Sequence, residues 1–245
     1  MGYIHPEKCI QAQLSLAKSN VANFILNTKI THFERIKNNL IRLTDSTGQQ
    51  YVSKKVIVCA GPWISSLLKE QYLDIFKVSR QVQYWFAVNP QFLKWYQPNI
   101  FPTFIRYFNN DDVVYGFPSL DKHTLKIAVE ISNDFISLDQ ATTPESVERE
   151  VNFIEKENMF NQHIAPNFEG ITNQCTRAVV CLYTMTPDAN FLIDYLPGFD
   201  EKIIIASPCS GYGFKYSAAI GEELAKINVD ERSRFSLIKE FGHIL

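Results

Sequence analysis

No stretch of the 245 residues stays apolar long enough to cross a bilayer, and the first residues show neither the basic start nor the apolar core of a secretion leader. The expectation is a soluble cytoplasmic protein. Cysteine is scarce: Cys9, Cys59, Cys175, Cys181 and Cys209 are odd in number and include no C-x-x-C pair. That argues for reduced thiols and against a disulfide framework. The five histidines are scattered, so no zinc-ligand spacing arises. With 24 basic against 26 acidic side chains, the net charge of −2 gives no reason to expect a nucleic-acid partner. Internal repeats and low-complexity linkers are absent. So is the Gly-x-Gly-x-x-Gly turn that a dinucleotide fold places after its first strand, together with the acid that follows it. The nearest match, Gly211-Tyr-Gly-Phe-Lys-Tyr216, fails at its third glycine.

What is present is ample material for a core. Apolar residues make up 46% of the chain, with 18 Phe, 11 Tyr and 3 Trp among them. Pro6 opens a helix over residues 6–19, with Ile10, Leu14 and Ala17 at helical spacing. Phe24–Leu26 and Lys29–Thr31 read as short strands. Leu40–Leu43 and Gln50–Val52 form a hairpin around Ser46-Thr-Gly48. Lys55–Ala60 is a buried strand running into Gly61-Pro62, and Ile64–Leu68 begins a helix. From residue 75 to 132 the chain turns β-rich. Val78–Val88, Phe104–Tyr107, Val113–Phe117 and Thr124–Val129 alternate in polarity, as strands of an antiparallel sheet with one covered face do. Thr143-Pro-Glu145 reads as a helix start, with Val147, Val151 and Ile154 on its apolar side. The last helix covers about residues 214–227, and the tail from Asp230 reads as a short surface helix.

The most informative stretch lies near the C-terminus. A strand and turn, Cys181-Leu-Tyr-Thr-Met-Thr-Pro-Asp188, precede the apolar strand Ile203–Ala206 and the helix entry Ser210-Gly-Tyr-Gly-Phe-Lys215. Gly211 and Gly213 let the backbone approach a ligand where a helix begins. A helix N-terminus suits an anionic group. Lys215 sits where the helix dipole disfavours a cation, which suggests negative charge nearby.

The two blocks, in this order and at this spacing, resemble the covalent-flavin segment of the monomeric sarcosine oxidase and N-methyltryptophan oxidase family of D-amino-acid-oxidase-like proteins. The resemblance runs from about Tyr3 to the last helix and leaves out the family's opening region. It implies a mixed α+β and α/β fold: a partial FAD-binding domain (residues 1–74 and 184–245) interrupted by a mostly antiparallel substrate-binding sheet (75–183). It implies FAD as cofactor, tethered through sulfur at Cys181, with Ile30 at the adenine end. Gly61 would lie near the dinucleotide, and Gly211, Tyr212, Gly213, Phe214 and Lys215 at the flavin. It further implies Tyr183, Tyr115 and Lys215 at the substrate. Lys126, in Leu125-Lys-Ile127 after Tyr115-Gly-Phe-Pro-Ser119, matches the lysine that activates oxygen. Read from the residues alone, Cys181 is equally a small buried apolar side chain and Lys126 a solvent-facing lysine. Two positions depart from the family: Glu130 stands at its active-site histidine, and Tyr212 where sarcosine oxidases carry histidine.

Two readings follow. In one, the chain is the C-terminal portion of an FAD-dependent amine oxidase taking a small N-methyl amino acid and oxygen, with an N-terminal fragment carrying the glycine motif as partner. In the other, it is a truncated remnant that binds no FAD alone. A relative of D-amino-acid or glycine oxidases with untethered FAD is a third, against which the Cys181 block weighs.

Overall fold

The computed structural model describes residues 2–68, 75–108, 113–130 and 143–228. The chain divides into two compact units, one made of Met1–His5 and Ser79–Leu182, the other of Pro6–Val78 and Tyr183–Leu245.

In the second of these units, strand β11 (Ile203–Ser207) is buried at all five positions. It lies between β10 (Leu192–Tyr195), antiparallel to it, and β4 (Val56–Val58), parallel to it. A strand covered on both faces reads as an unbroken apolar run because each alternate side chain finds its own core. Ile203 and Ile205 join Phe33, Ile41, Val58 and Leu192 on one side. Ile204 and Ala206 join Ile193 and, from helix α3 (Ser217–Asn228), Ile220 and Leu224 on the other. Burying one such isoleucine contributes about 1.5–3 kcal/mol. Strands β1 (Ile30–Ile36), β2 (Leu40–Asp45) and β3 (Gln50–Ser53) form a separate antiparallel sheet. Its β2–β3 turn is locked by Asp45, whose Oδ1 accepts from the Thr47 and Gln49 amides at 2.8 and 3.0 Å. Helix α1 (Pro6–Ser19) buries none of its residues.

The other unit is built on a five-stranded sheet in the order β6-β7-β8-β5-β9, comprising β5 (Lys77–Val88), β6 (Phe104–Tyr107), β7 (Val113–Phe117), β8 (Thr124–Glu130) and β9 (Ile171–Met185). The β5–β8, β7–β8 and β6–β7 pairs are antiparallel. Leu125 and Ile127 of β8, with Tyr84, Phe86 and Val114, point into a core closed by Met159, Ile164 and Phe168. Met159 ends helix α2 (Phe153–Met159), which continues as a π-helical turn over Phe160–Ile164.

Four expectations change. Phe24–Leu26 carries no strand, and Ile25 and Leu26 are exposed. The turn after β4 is a 3-10 stretch, Gly61–Leu67, rather than an α-helix. The helix expected from Thr143 starts instead at Phe153. Arg80 explains the delay: its Nε and Nη2 donate to the Glu148 and Glu150 carbonyls, both at 2.9 Å, which takes those carbonyls out of a helix. Asn152 and Glu155 then close a reciprocal capping box. Gly213–Tyr216 is a 3-10 turn that leads into α3. The tail from Asp230 lies outside the described residues.

Candidate active site

The glycine turn after β11 is held by a knot of polar side chains. Ser210 donates its amide to the Thr184 carbonyl at 2.9 Å and its hydroxyl to the Asn190 carbonyl at 2.8 Å. Thr186, 4% exposed, donates to the same carbonyl at 2.8 Å and lies 2.9 Å from Asp188 Oδ1. The Asp188 carboxylate also accepts from the Asn190 amide. Burial alone would raise the Asp188 pKa, but these bonds outweigh it and hold the group below its ordinary value. Thr186-Pro-Asp188 and Ser210-Gly-x-Gly are thus two halves of one hydrogen-bonded corner.

That corner forces close approaches. Gly211, at φ +81°, lies flat against Tyr183: a Cβ there would come within 2.8 Å of the tyrosine ring. A Cβ on Gly213 would fall 1.6 Å from the Pro208 carbonyl oxygen. Tyr212 stacks on Phe191 at 4.7 Å and donates its hydroxyl to the Ala189 carbonyl at 3.0 Å. Tyr212, Phe214 and Lys215 are exposed, and the Lys215 ammonium lies 5.8 and 5.4 Å from the Tyr212 and Tyr216 rings. Ser207, 1% exposed at the end of β11, has a buried hydroxyl with no hydrogen-bond partner among the described residues. The turn therefore brings together Tyr183, the Gly211–Phe214 backbone and Lys215, all within one unit.

At the neighbouring strand end, Cys59-Ala60-Gly61 closes β4, with Gly61 at φ +53°. Ile30, the position expected at the adenine end, lines a groove of about 480 Å³ with Phe33, Leu43, Val56–Ala60 and Trp63. Burial, and then the neighbouring Cys209, push the Cys59 thiol up, so it is no activated thiolate.

In the other unit, register fixes Lys126. Its cross-strand partners are Trp85 on β5 and Phe117 on β7. The ammonium lies 5.2 and 5.1 Å from those two rings. Arg177, on β9, stands 4.6 Å from Trp85. Lys126 alternates with the buried Leu125 and Ile127, so it occupies the sheet face turned away from the core. Tyr115 shares that face, opposite Ala128. Glu130, two positions beyond Ala128, follows the same alternation, and burial pushes its carboxyl up. Cys181 is half-buried on β9, two residues before Tyr183. Trp85, Arg177 and Phe117 escaped the sequence reading. They become neighbours of Lys126 only through strand register, which no local pattern encodes.

The chain covers the FAD dependent oxidoreductase (DAO) family over residues 1–227. It is 31% identical over 228 residues to the monomeric sarcosine oxidase of Bacillus sp. (strain NS-129), covering 92% of this chain and 56% of that protein. It is 30% identical over 242 residues to the N-methyl-L-tryptophan oxidase of Escherichia coli O127:H6, covering 96% and 59%. The chain thus spans little more than half the length of these relatives. Among solved structures, NikD, described as an unusual amino acid oxidase essential for nikkomycin biosynthesis, superposes with a TM-score of 0.69 at 16% identity, covering 94% of this chain and 58% of NikD. An Amadoriase I mutant from Aspergillus fumigatus gives 0.74 at 18%, covering 95% and 53%. With a family match over nearly its whole length, the chain belongs to the DAO family of FAD-dependent oxidoreductases.

Proposed function

We propose that the chain forms the C-terminal portion of an FAD-dependent oxidase acting on the C–H bond beside a secondary amine of an N-methyl amino acid, of the sarcosine or N-methyltryptophan type. The observation that carries this reading is the corner in which Gly211 lies against Tyr183 while Ser210 is anchored to Thr184. It joins the two sequence blocks of the resemblance into one site.

The residues present suit the cofactor at its two ends. The Ile30–Cys59–Ala60 groove offers an apolar slot for the adenine end. The glycine turn offers backbone at close range for the flavin end, and the buried Ser207 hydroxyl adds a polar atom nearby in sequence. These 245 residues contain no Gly-x-Gly-x-x-Gly loop for the diphosphate, so on this reading a complete FAD site needs that loop from another polypeptide segment.

When bound, FAD supplies the two-electron acceptor, with oxygen taking the electrons as hydrogen peroxide. The amine loses two hydrogens and becomes an imine, which water hydrolyses. Lys215 provides a point charge for the substrate carboxylate, and the Tyr183 hydroxyl a hydrogen bond to it. The Gly211–Phe214 amides stabilise negative charge that develops beside them. Lys126 places a cation, held between Trp85 and Phe117, where reduced oxygen gathers charge. Cys181 would hold the cofactor through its sulfur. Glu130 and Tyr212, in place of the family's histidines, set the choice of amine.

The test is the absorbance of the acid-precipitated chain, expressed alone and with the remaining portion of a family protein. Flavin colour in the pellet is expected on co-expression. Colourless pellet and supernatant in both cases overturn the oxidase reading and favour a remnant that binds no FAD.

A further inference from the structure

Three neighbouring strands of the five-stranded sheet meet around one indole. In the order β6-β7-β8-β5-β9, strand β5 lies between β8 and β9. Trp85 of β5 therefore has its cross-strand partner Lys126 on one flank and Arg177 of β9 on the other, all within one unit. Both cations reach its ring. The Lys126 ammonium lies 5.2 Å from the ring centroid and the Arg177 guanidinium carbon 4.6 Å. β9 also grips β5 at this point. The Thr176 hydroxyl donates to the Trp85 carbonyl at 3.2 Å. The Cys175 thiol donates to the Arg177 carbonyl, also at 3.2 Å, and steadies the backbone that carries the guanidinium. On the far side of Lys126, its β7 partner Phe117 brings a second ring to 5.1 Å from the ammonium.

The two cations differ in kind. A lysine ammonium is a point charge on a flexible stem, whereas a guanidinium is planar and stacks on an aromatic face. A tryptophan ring attracts a cation more strongly than a phenylalanine ring does. The indole is thus held on one flank by a rigid, stacked group and holds a mobile one on the other. We infer that Arg177 and Trp85 are positioning residues for the reduction of oxygen: Arg177 fixes the indole, and the indole fixes where the Lys126 ammonium stands. This rests on the reading of the chain as part of an FAD-dependent oxidase. Overall, oxygen takes two electrons and two protons from reduced flavin and leaves as hydrogen peroxide. Negative charge gathers on oxygen when electrons move ahead of protons, and a cation already in place stabilises it without reorganising. An ammonium free to swing on its stem must be ordered at every turnover. A misplacement of about 1 Å can cost about 100-fold in rate. Neither Arg177 nor Trp85 touches a reacting atom in this scheme; both act through Lys126.

The experiment uses the full chain co-expressed with the remaining portion of a family protein, as wild type, Arg177→Ala, Trp85→Leu and Trp85→Phe. Rapid mixing gives two rate constants, flavin reduction by an N-methyl amino acid and reoxidation by oxygen. In Arg177→Ala and Trp85→Leu the ratio of reoxidation to reduction is expected to fall by about 10- to 100-fold. Trp85→Phe keeps a ring at the position and should recover most of it. The Arg177→Ala deficit should persist at about 1 M salt, where the screening length is about 3 Å and a distant charge no longer acts. A second readout needs no flavin. In the chain labelled with ¹³C-lysine, the ε-methylene resonance of Lys126, identified by its loss in Lys126→Met, should carry an upfield ring-current shift. That shift should be largely lost in Arg177→Ala, an exposed position where misfolding is not expected even if Trp85→Leu fails to fold. An unchanged ratio in Arg177→Ala overturns the inference. So does a deficit that vanishes at high salt, which would make Arg177 a remote charge, or a Trp85→Phe variant as slow as Trp85→Leu. Flavin missing from every co-expressed form sinks the oxidase reading, and the Lys126 resonance then decides alone whether Arg177 holds the ammonium through the indole. Bound flavin with an unmoved ratio keeps the oxidase reading and sinks the positioning role.

Discussion

β11 and β8 are both interior strands of their sheets, yet they contribute differently. β11 is buried on both faces, and the Ser207 hydroxyl at its end is its one polar side chain. What chemistry its unit offers lies past the strand end, in backbone pressed close by Gly211 and Gly213. β8 is covered less evenly: Lys126 is only partly buried, although Thr124 and Ala128 on its own face are buried. Leu125 and Ile127 hold it to the core, and Lys126 projects from the other face between Trp85 and Phe117. One unit thus presents close-packed main chain with the Tyr183 and Lys215 side chains beside it, the other a cluster made of side chains alone. Main-chain sites are intolerant of added atoms. Side-chain sites on a half-open sheet are tolerant in stability and sensitive in chemistry.

The sharpest break of this comparison is Gly213→Ala. Its new Cβ would meet the Pro208 carbonyl oxygen at 1.6 Å, and a backbone atom cannot yield as a flexible side chain can. The turn must shift, and we expect a loss of about 3 kcal/mol or more in urea unfolding. Wild-type stability would show that the turn is not rigidly seated. Next comes Thr186→Val, which keeps shape but removes the hydroxyl shared by Asn190 and Asp188. Both partners are exposed and keep other donors, the Ser210 hydroxyl to Asn190 and the Asn190 amide to Asp188, so the lost bonds are expected to cost about 0.5–1.5 kcal/mol. The glycine turn should loosen, read as faster amide exchange at Ser210.

Lys126→Met tests the other side. Exposed or half-exposed cation–π contacts contribute about 0.5–1 kcal/mol, so the unfolding midpoint should barely move. Reoxidation of the flavin-loaded protein by oxygen should nevertheless slow by about 10²–10³, the usual effect of removing a charge aimed at a developing anion. A large stability loss with normal reoxidation would reverse the contrast between the two units.

The same contrast governs what the sequence disclosed. The apolar run Ile203–Ala206 and the alternation in Thr124–Glu130 announce their strands because each records which faces are covered. The Asp45 turn and the Ser210–Lys215 entry are legible for local reasons. The start of α2 is not, because Arg80, some seventy residues earlier, binds the Glu148 and Glu150 carbonyls. Thr143-Pro-Glu145 satisfies the local rules for a helix start and is overruled by that long-range clamp. Of the proposed functional residues, Lys126 in one unit and Lys215 in the other are named through the resemblance. Trp85, Phe117 and Arg177 are invisible because strand register is a tertiary choice. Thr186 and Asp188 belong to a block of the flavin-family resemblance, and their hydrogen bonds give them a structural role, pinning the turn that carries the glycines.

The smallest expected effect is a pH dependence of opposite sign at the two ends of β8. Asp121, in the turn before it, would be raised by burial, but bonds from the Thr124 hydroxyl, the His123 and Thr124 amides and the Ser119 hydroxyl hold it below its ordinary 3.8. Its contribution is complete above 3.8 and is lost as the pH falls through the folded value. Glu130 is raised above its ordinary 4.5 by burial. A carboxyl raised on folding favours the folded state below 4.5, and that advantage disappears as pH rises through the folded value. Asp121→Asn should therefore cost most near neutral pH and least in acid. Glu130→Gln should gain on the wild type as the pH climbs from about 4 to about 8. Thermal midpoints of the three proteins from about pH 2 to about pH 8 decide it. A Glu130→Gln difference that does not vary with pH would mean the carboxyl is not desolvated and stands ionised at neutral pH on the same face as Lys126.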